Sequence, residues 1–141
     1  MHPRTRHSQG FTLIELLVVM SIIGALASVT VPQLVGARSS ALRRTIQIHS
    51  ANVYRVMNAV YAEAPNMDLT ALAAAVQSAC LTKADSITVS GQTYDYGWIG
   101  GPPEAASCTV QAPDAANFIV TVQANASLGG VKSVNGGQPA P

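Results

Sequence analysis

Hydrophobic side chains are concentrated near the beginning of the chain. Residues 11–36 are apolar except for Glu15 and a few small polar side chains, and the ten residues before them are polar and basic. An apolar stretch of this length can cross a hydrocarbon layer of about 30 Å as an α-helix. The pattern therefore predicts a segment that lies in a membrane or packs against copies of itself.

The helical pattern continues well beyond the apolar segment. Apolar residues recur at spacings of three and four up to Pro65, so residues 11–64 are predicted to form one helix. At about 1.5 Å per residue this helix would measure up to about 80 Å, which is too long for a small globule. Its second half, residues 37–64, is expected to pack on the rest of the chain. Its wetter face is expected to carry Arg38, Arg43, Arg44, His49 and Arg55.

The remainder of the chain alternates turn and strand signals after one short helix. Asp68 is predicted to cap a helix over residues 69–81. Five strand candidates follow, at residues 86–90, 92–97, 107–111, 117–124 and 131–134. This order predicts an α+β fold, in which a long N-terminal helix with a transmembrane first half packs against a small antiparallel β-sheet. Residues 65–135 are expected to form the globular α+β part, and residues 136–141 a flexible tail.

Glu15 is difficult to reconcile with an ordinary membrane segment. A carboxylate inside a bilayer is costly unless it is paired. A secretory signal peptide would not need so long an apolar stretch, and a plain anchor explains the length but not the acid. Cleavage after Gly10 would make Phe11 a cationic N-terminus. Glu15, one helical turn away, could then balance that charge within the chain or in a neighbouring copy.

The residues from Gly10 to Val19, GFTLIELLVV, resemble the cleavage signal of type IV pilins and of the pseudopilins of type II secretion and competence. The resemblance extends from the basic leader, residues 1–10, to Pro32. It implies that a prepilin peptidase cuts between Gly10 and Phe11 and methylates the new amine, which Glu15 of an adjacent subunit then contacts. It also implies a weak helical segment between Gly24 and Pro32. Glycine and proline both disfavour a helix, so the residues themselves agree with that expectation.

The two cysteines, Cys80 and Cys108, allow one intramolecular pairing. In an exported protein such a pair is usually a disulfide, whereas in a cytosolic protein two free thiols would be expected. The resemblance favours the disulfide, because many type IV pilins close a loop with one, although usually nearer the C-terminus.

The composition gives little support to catalysis or to nucleic-acid binding. Charged residues make up 11% of the chain and the net charge is +1, so there is no broad basic field. The sequence contains no Walker A, HExxH, CxxC or GxSxG pattern, and no catalytic residue, metal or cofactor is expected. Tyr94, Tyr96 and Trp98 alternate as they would in a sheet core, and this interpretation is favoured over stacking on single-stranded DNA. Direct DNA binding is not expected.

Together these features predict a structural, non-enzymatic subunit of a type IV pilus-like filament. It would polymerise through its N-terminal helix after prepilin peptidase processing and serve adhesion, motility or DNA uptake. Its expected partners are further copies of itself, related minor pilins, the peptidase and the inner-membrane assembly machinery. It would span the inner membrane once before assembly and then lie in an extracellular pilus or a periplasmic pseudopilus. The alternatives are a pseudopilin of a secretion or competence machine, and a membrane-anchored binding protein that does not polymerise.

Overall fold

The computed structural model describes residues 11–98, 100–114 and 117–141. Two helices precede five strands: α1 (Leu13–Glu63), α2 (Leu69–Ala79), β1 (Ile87–Val89), β2 (Gln92–Tyr94), β3 (Ala105–Gln111), β4 (Ile119–Ala124) and β5 (Lys132–Val134). A 3₁₀ turn, Ala126–Leu128, lies between β4 and β5. The predicted α+β fold is confirmed, with a long N-terminal helix and small antiparallel sheets. The chain forms two compact units that divide after Arg38, and residues 39–141 are called the head below.

Within the head, α1 buries one face. Its buried residues recur every three or four positions, as a helix packed on one side requires: Ile46, His49, Ser50, Val53, Met57 and Val60. The four arginines predicted for the wetter face of α1 are exposed. The prediction for His49 was wrong, since its side chain is only 5% exposed. Its Nε2 atom lies 2.7 Å from the carbonyl oxygen of Cys80, a partner that only the tertiary fold supplies.

Helix α2 begins at the predicted capping residue. The Asp68 carboxylate accepts hydrogen bonds from the Thr70 backbone N–H, at 2.9 Å, and from the Thr70 hydroxyl, at 2.8 Å. These bonds, the hydroxyl first, lower the pKa of Asp68 because they stabilise its charged form. The face of α2 that packs on the core consists of Leu69, Leu72, Ala73 and Val76.

The strands form two antiparallel sheets. β1 and β2 make a hairpin whose turn, Ser90-Gly91, has positive φ at both residues. β3, β4 and β5 form a three-stranded sheet in sequence order. Its outer edges are both covered: the Gln77 side chain bonds to β3 on one side, and Ala140 pairs with Lys132 on the other. Both outer strands of the three-stranded sheet therefore have hydrogen-bond partners from within the chain at these positions.

Gly136, the first residue of the segment expected to be a flexible tail, is tied to α1 by hydrogen bonds. The Gly136 N–H donates to the Ser50 hydroxyl at 3.1 Å, and the Gly136 carbonyl accepts from the Gln47 side chain at 2.9 Å. Gly136 has φ +80°, and a Cβ on it would lie 2.5 Å from the Ala51 Cβ. Only glycine fits both the backbone conformation and this close approach.

Candidate functional site

The beginning of α1 is closed by a reciprocal hydrogen-bonded cap. The Glu15 Oε2 atom accepts from the Thr12 N–H at 3.0 Å and from the Thr12 hydroxyl at 2.8 Å. In return the Glu15 N–H donates to the Thr12 hydroxyl oxygen at 3.3 Å. This is a capping box, in which two otherwise unsatisfied N–H groups at the helix start gain partners. The Thr-x-x-Glu spacing was present in the sequence, so Thr12 is a site residue that the sequence interpretation missed.

Phe11 and Glu15 lie on the same side of the helix start. Together with Ile14, Val18 and Val19 they line a shallow cleft of about 380 Å³. Phe11 is 82% exposed. Cleavage after Gly10 would make Phe11 the first residue of the chain. Phe11 therefore lies next to the only acidic residue of the apolar segment, on a face that is accessible to another molecule. The other predicted cleavage residue, Gly10, lies outside the described residues.

The first half of α1 is apolar around its whole circumference. Large hydrophobic side chains are exposed at consecutive positions rather than along one stripe: Leu13, Ile14, Leu16, Leu17, Val18, Val19, Met20, Ile22, Ile23, Leu26, Val29, Val31, Leu34 and Val35. An 18-residue window of α1 reaches a mean hydropathy of 2.3, and none of it is buried. By length and composition this helix could cross a membrane. A helix of this kind requires an apolar environment on every side.

The helix is continuous through Gly24 and Pro32 in this structure. Hydroxyl groups in the segment bond back to the preceding turn, with Ser28 donating to the Ala25 carbonyl at 2.7 Å and Thr30 to the Leu26 carbonyl at 3.1 Å. Pro32 has no N–H to donate, so the segment still lacks one ordinary helical bond. The weakness of this helical segment remains a prediction.

Cys80 and Cys108 form a disulfide with a Cα–Cα distance of 6.0 Å. The bond joins the end of α2 to β3, as the positions of the two cysteines in the predicted elements suggested. Gln77, one turn earlier on α2, reinforces this connection, since its Nε2 atom donates to the Cys108 carbonyl at 2.8 Å and its Oε1 atom accepts from the Val110 N–H. The carboxamide thus acts in place of a neighbouring strand. Nothing in the sequence pattern indicated this role for Gln77.

The alternating aromatic residues belong mainly to the core. Tyr94 is 9% exposed and Trp98 is 5% exposed, so neither offers a face to a nucleic-acid base. Tyr96 is partly exposed, and its hydroxyl donates a hydrogen bond to the Glu63 carboxylate. That bond and the negative charge raise the pKa of Tyr96. In residues 11–98, 100–114 and 117–141, no group of three or more His, Cys, Asp or Glu side chains is arranged to hold a metal ion.

Comparison with known proteins finds similarity in the N-terminal segment. Residues 5–31 match the family model of the prokaryotic N-terminal methylation motif. The chain is also similar to the type IV wide pilus major component PilA4 of Thermus thermophilus, with 56% identity over 36 residues. That alignment covers 26% of this chain and 28% of the PilA4 chain, so the chain spans little more than a quarter of this relative. No solved structure matches the chain. The N-terminal segment therefore carries a prokaryotic N-terminal methylation motif and is similar to part of a type IV pilus component.

Proposed function

We propose that this chain is a structural, non-enzymatic subunit of a type IV pilus-like filament. The observation that carries the proposal is the first half of α1, which begins with a methylation motif and exposes apolar side chains on all sides. A soluble protein would not leave so large a surface in water, because burying apolar area is favourable by about 25 cal/mol per Å². Lipid can surround this helix before assembly. Further copies of the same helix can surround it afterwards.

Residues 11–36 would therefore exchange one apolar environment for another. Before assembly the subunit spans the inner membrane once. In the filament the same side chains contact the helices of neighbouring subunits. Because the two environments are similarly apolar, this exchange can proceed without exposing the segment to water. The assembly machinery of the inner membrane and related minor pilins are the partners that this pathway requires.

Prepilin peptidase processing would create the polar contact that fixes the subunits relative to one another. Hydrolysis between Gly10 and Phe11 leaves an ammonium group on Phe11, and methylation preserves its positive charge. The Glu15 carboxylate offers about four acceptor positions, and the Thr12 cap uses two of them. Glu15 can thus accept the amine of an adjacent Phe11 while it continues to cap its own helix. The energetic cost of a carboxylate in an apolar environment falls when this pairing forms.

The N-terminus of the native protein tests this proposal directly. Mass spectrometry of the terminal peptide, from membranes and from material sheared off the cell surface, should identify a chain that begins at Phe11. That peptide should be heavier than its sequence predicts by one CH₂ group. An intact Met1, or cleavage well inside the apolar segment, would contradict pilin-type processing and favour an anchored or secreted protein.

The location of the processed protein distinguishes a pilus from a pseudopilus. Processed subunits in the sheared fraction support a filament that extends outside the cell and serves adhesion, motility or DNA uptake. Processed subunits found only in the cell envelope support a pseudopilin of a secretion or competence machine. Processing without any polymer, judged by cross-linking of membranes, would support the anchored binding protein.

A further inference from the structure

The charges of α1 are strongly segregated. Between Glu15 and Glu63 the chain contains no acidic residue, while arginines stand at positions 38, 43, 44 and 55. Helical ion pairs need opposite charges three or four positions apart, so these arginines have no carboxylate partner on their own helix. Across the described part of the chain the structure records one ion pair, between Lys83 and Asp85 at 2.7 Å.

Two of these arginines line a polar cleft at the beginning of the head. The arginine cleft has a volume of about 420 Å³, and it is formed by Ser40, Arg43, Arg44, Gln47, Gln138 and Pro139. The wall made by residues 138 and 139 is held in place nearby, because Gln47 donates a hydrogen bond to the Gly136 carbonyl and Ala140 pairs with Lys132. Two guanidinium groups beside carboxamide side chains suit a carboxylate ligand, since arginine binds carboxylates with two parallel hydrogen bonds.

The opposite end of α1 has the complementary charge. Glu63 and Asp68 line a cleft of about 500 Å³, and Asp68 and Asp114 line a second cleft of about 330 Å³. The two clefts share Met67 and Asp68, so they form one continuous surface, called the acidic end below. The α1 segment from Arg44 to Glu63 is about 29 Å long at about 1.5 Å per residue. Screening reduces interactions beyond about 8 Å at physiological salt, so the two ends of one head do not neutralise each other.

We infer that the arginine cleft of one subunit binds the acidic end of a second copy of this chain. The inference rests on the proposed function, because a filament holds many copies of α1 side by side in the same direction. In that arrangement the arginine cleft of one head meets the acidic end of another when the two copies are offset by about 30 Å along the helix direction. Arg43 and Arg44 then reach Glu63 and the acidic side chains around it. These contacts select one offset among those that the uniform apolar segment would allow.

A charge swap in the full-length chain tests the contact. Arg44→Glu and Glu63→Arg, each alone, place like charges opposite each other, and each should reduce the number of filaments by about tenfold or more. The double variant R44E/E63R restores opposite charges and should recover most of the filaments. Arg55→Glu is the matched control, because Arg55 is an exposed arginine of the same helix outside the cleft. Its filament number should remain close to that of the wild type.

Cross-linking provides a test that leaves Glu63 and its bond to Tyr96 intact. Asn66 also lines the acidic end, so a chain with Arg44→Cys and Asn66→Cys should form a ladder of covalent multimers when its filaments are oxidised. A variant with only one of the two added cysteines should give no covalent species larger than a dimer.

The outcomes separate this contact from the proposed function. If the wild-type protein is processed and forms filaments, but Arg44→Glu assembles normally and no ladder appears, the contact is excluded while the filament function stands. If the wild type forms no filament, both fail. If R44E/E63R does not recover filaments and Arg44→Glu binds vesicles of anionic lipid more weakly than the wild type, the cleft binds lipid headgroups and the inference is overturned.

Discussion

The two halves of α1 present their hydrophobic side chains in different ways. From Leu13 to Val35 large apolar residues point in every direction and remain exposed, whereas from Ile46 to Val60 one stripe of the helix is buried and Ile48, on another face, is exposed. In the second half, arginines and other polar residues occupy positions between those of the buried stripe. The first half contains Glu15 as its only charged side chain before Arg38.

This difference shows where each half obtains its partners. A one-sided stripe can be satisfied within one chain, and here α2 and the sheets cover it. A helix that is apolar on all sides cannot be covered by a single small head, so its partners must come from lipid or from other chains. If the chain assembles as we propose, folding and assembly use separate parts of the same helix. Substitutions in the first half should affect assembly, and substitutions in the second half should affect folding.

The largest effect is expected at Glu15, where charge and helix capping can be separated. Glutamine can also complete a capping box, so Glu15→Gln keeps the cap but removes the charge that we propose to pair with the Phe11 amine. We expect this variant to be inserted and cleaved normally but to form about a hundredfold fewer filaments, as counted by electron microscopy of sheared material. Thr12→Ala is the matched control, since it removes the cap and keeps the charge, and it should assemble much better. Normal filaments from Glu15→Gln would show that pairing with the amine is not required.

The disulfide should be the largest single contribution to the stability of the head. Replacing both cysteines, Cys80→Ser with Cys108→Ser, releases the loop between α2 and β3 and should lower the free energy of unfolding by about 3–4 kcal/mol. Denaturant unfolding of the detergent-solubilised full-length protein measures this loss. N-terminal processing of the same variant should be unchanged, because the methylation motif lies in the other half of the molecule. A variant as stable as the oxidised wild type would mean that the Gln77 contacts alone hold α2 on β3.

A smaller loss is expected where the C-terminal segment crosses α1. Gly136→Ala would combine a strained positive φ with a clash against Ala51, and we expect it to lower the free energy of unfolding by about 2–4 kcal/mol. Gly129→Ala is the control, because Gly129 has φ +76° but open space around its Cα, and it should cost about 1 kcal/mol. Equal losses in the two variants would show that residues 136–141 do not pack on the helix.

The smallest effect concerns the cap of α2. The pKa of Asp68 is lowered in the folded state by its bonds to Thr70, so the cap contributes stability that is fully present above the unfolded pKa of about 3.8. That contribution is lost as the pH falls through the lower, folded pKa. Asp68→Asn keeps an effective cap that does not titrate, and the melting temperature should therefore depend less on pH in this acidic range. Identical acid profiles for the variant and the wild type would exclude a role for the Asp68 charge.

Elements with strong local signals were predicted closely. The apolar run and its continuation predicted residues 11–64 as one helix, and the structure places α1 at Leu13–Glu63. Asp68 was identified as a cap and all five strands were located, because capping and alternation are properties of short segments. The Thr12–Glu15 cap is also local, and its Thr-x-x-Glu spacing is a sequence signal of a capping box.

The predictions failed or were silent where a residue depends on a partner distant in the chain. His49 was expected on the exposed face because it is polar, although its spacing from Ile46 and Val53 matches the buried face; its partner, the Cys80 carbonyl, is distant in the chain. The Gln77 side chain forms hydrogen bonds to the edge of β3, and Gly136 lies against Ala51. Nothing near either residue in the sequence indicates these contacts.

The sequence by itself determined the two properties on which the proposed function rests: an apolar helix that one chain cannot cover, and the N-terminal methylation motif that overlaps its beginning. Both depend on composition and short-range order, which survive in any fold. The tertiary structure decided which residues close the head, and which distant side chains join Arg43 and Arg44 in the arginine cleft and Glu63 at the acidic end. Those features depend on the packing of distant segments, and no local pattern encodes them.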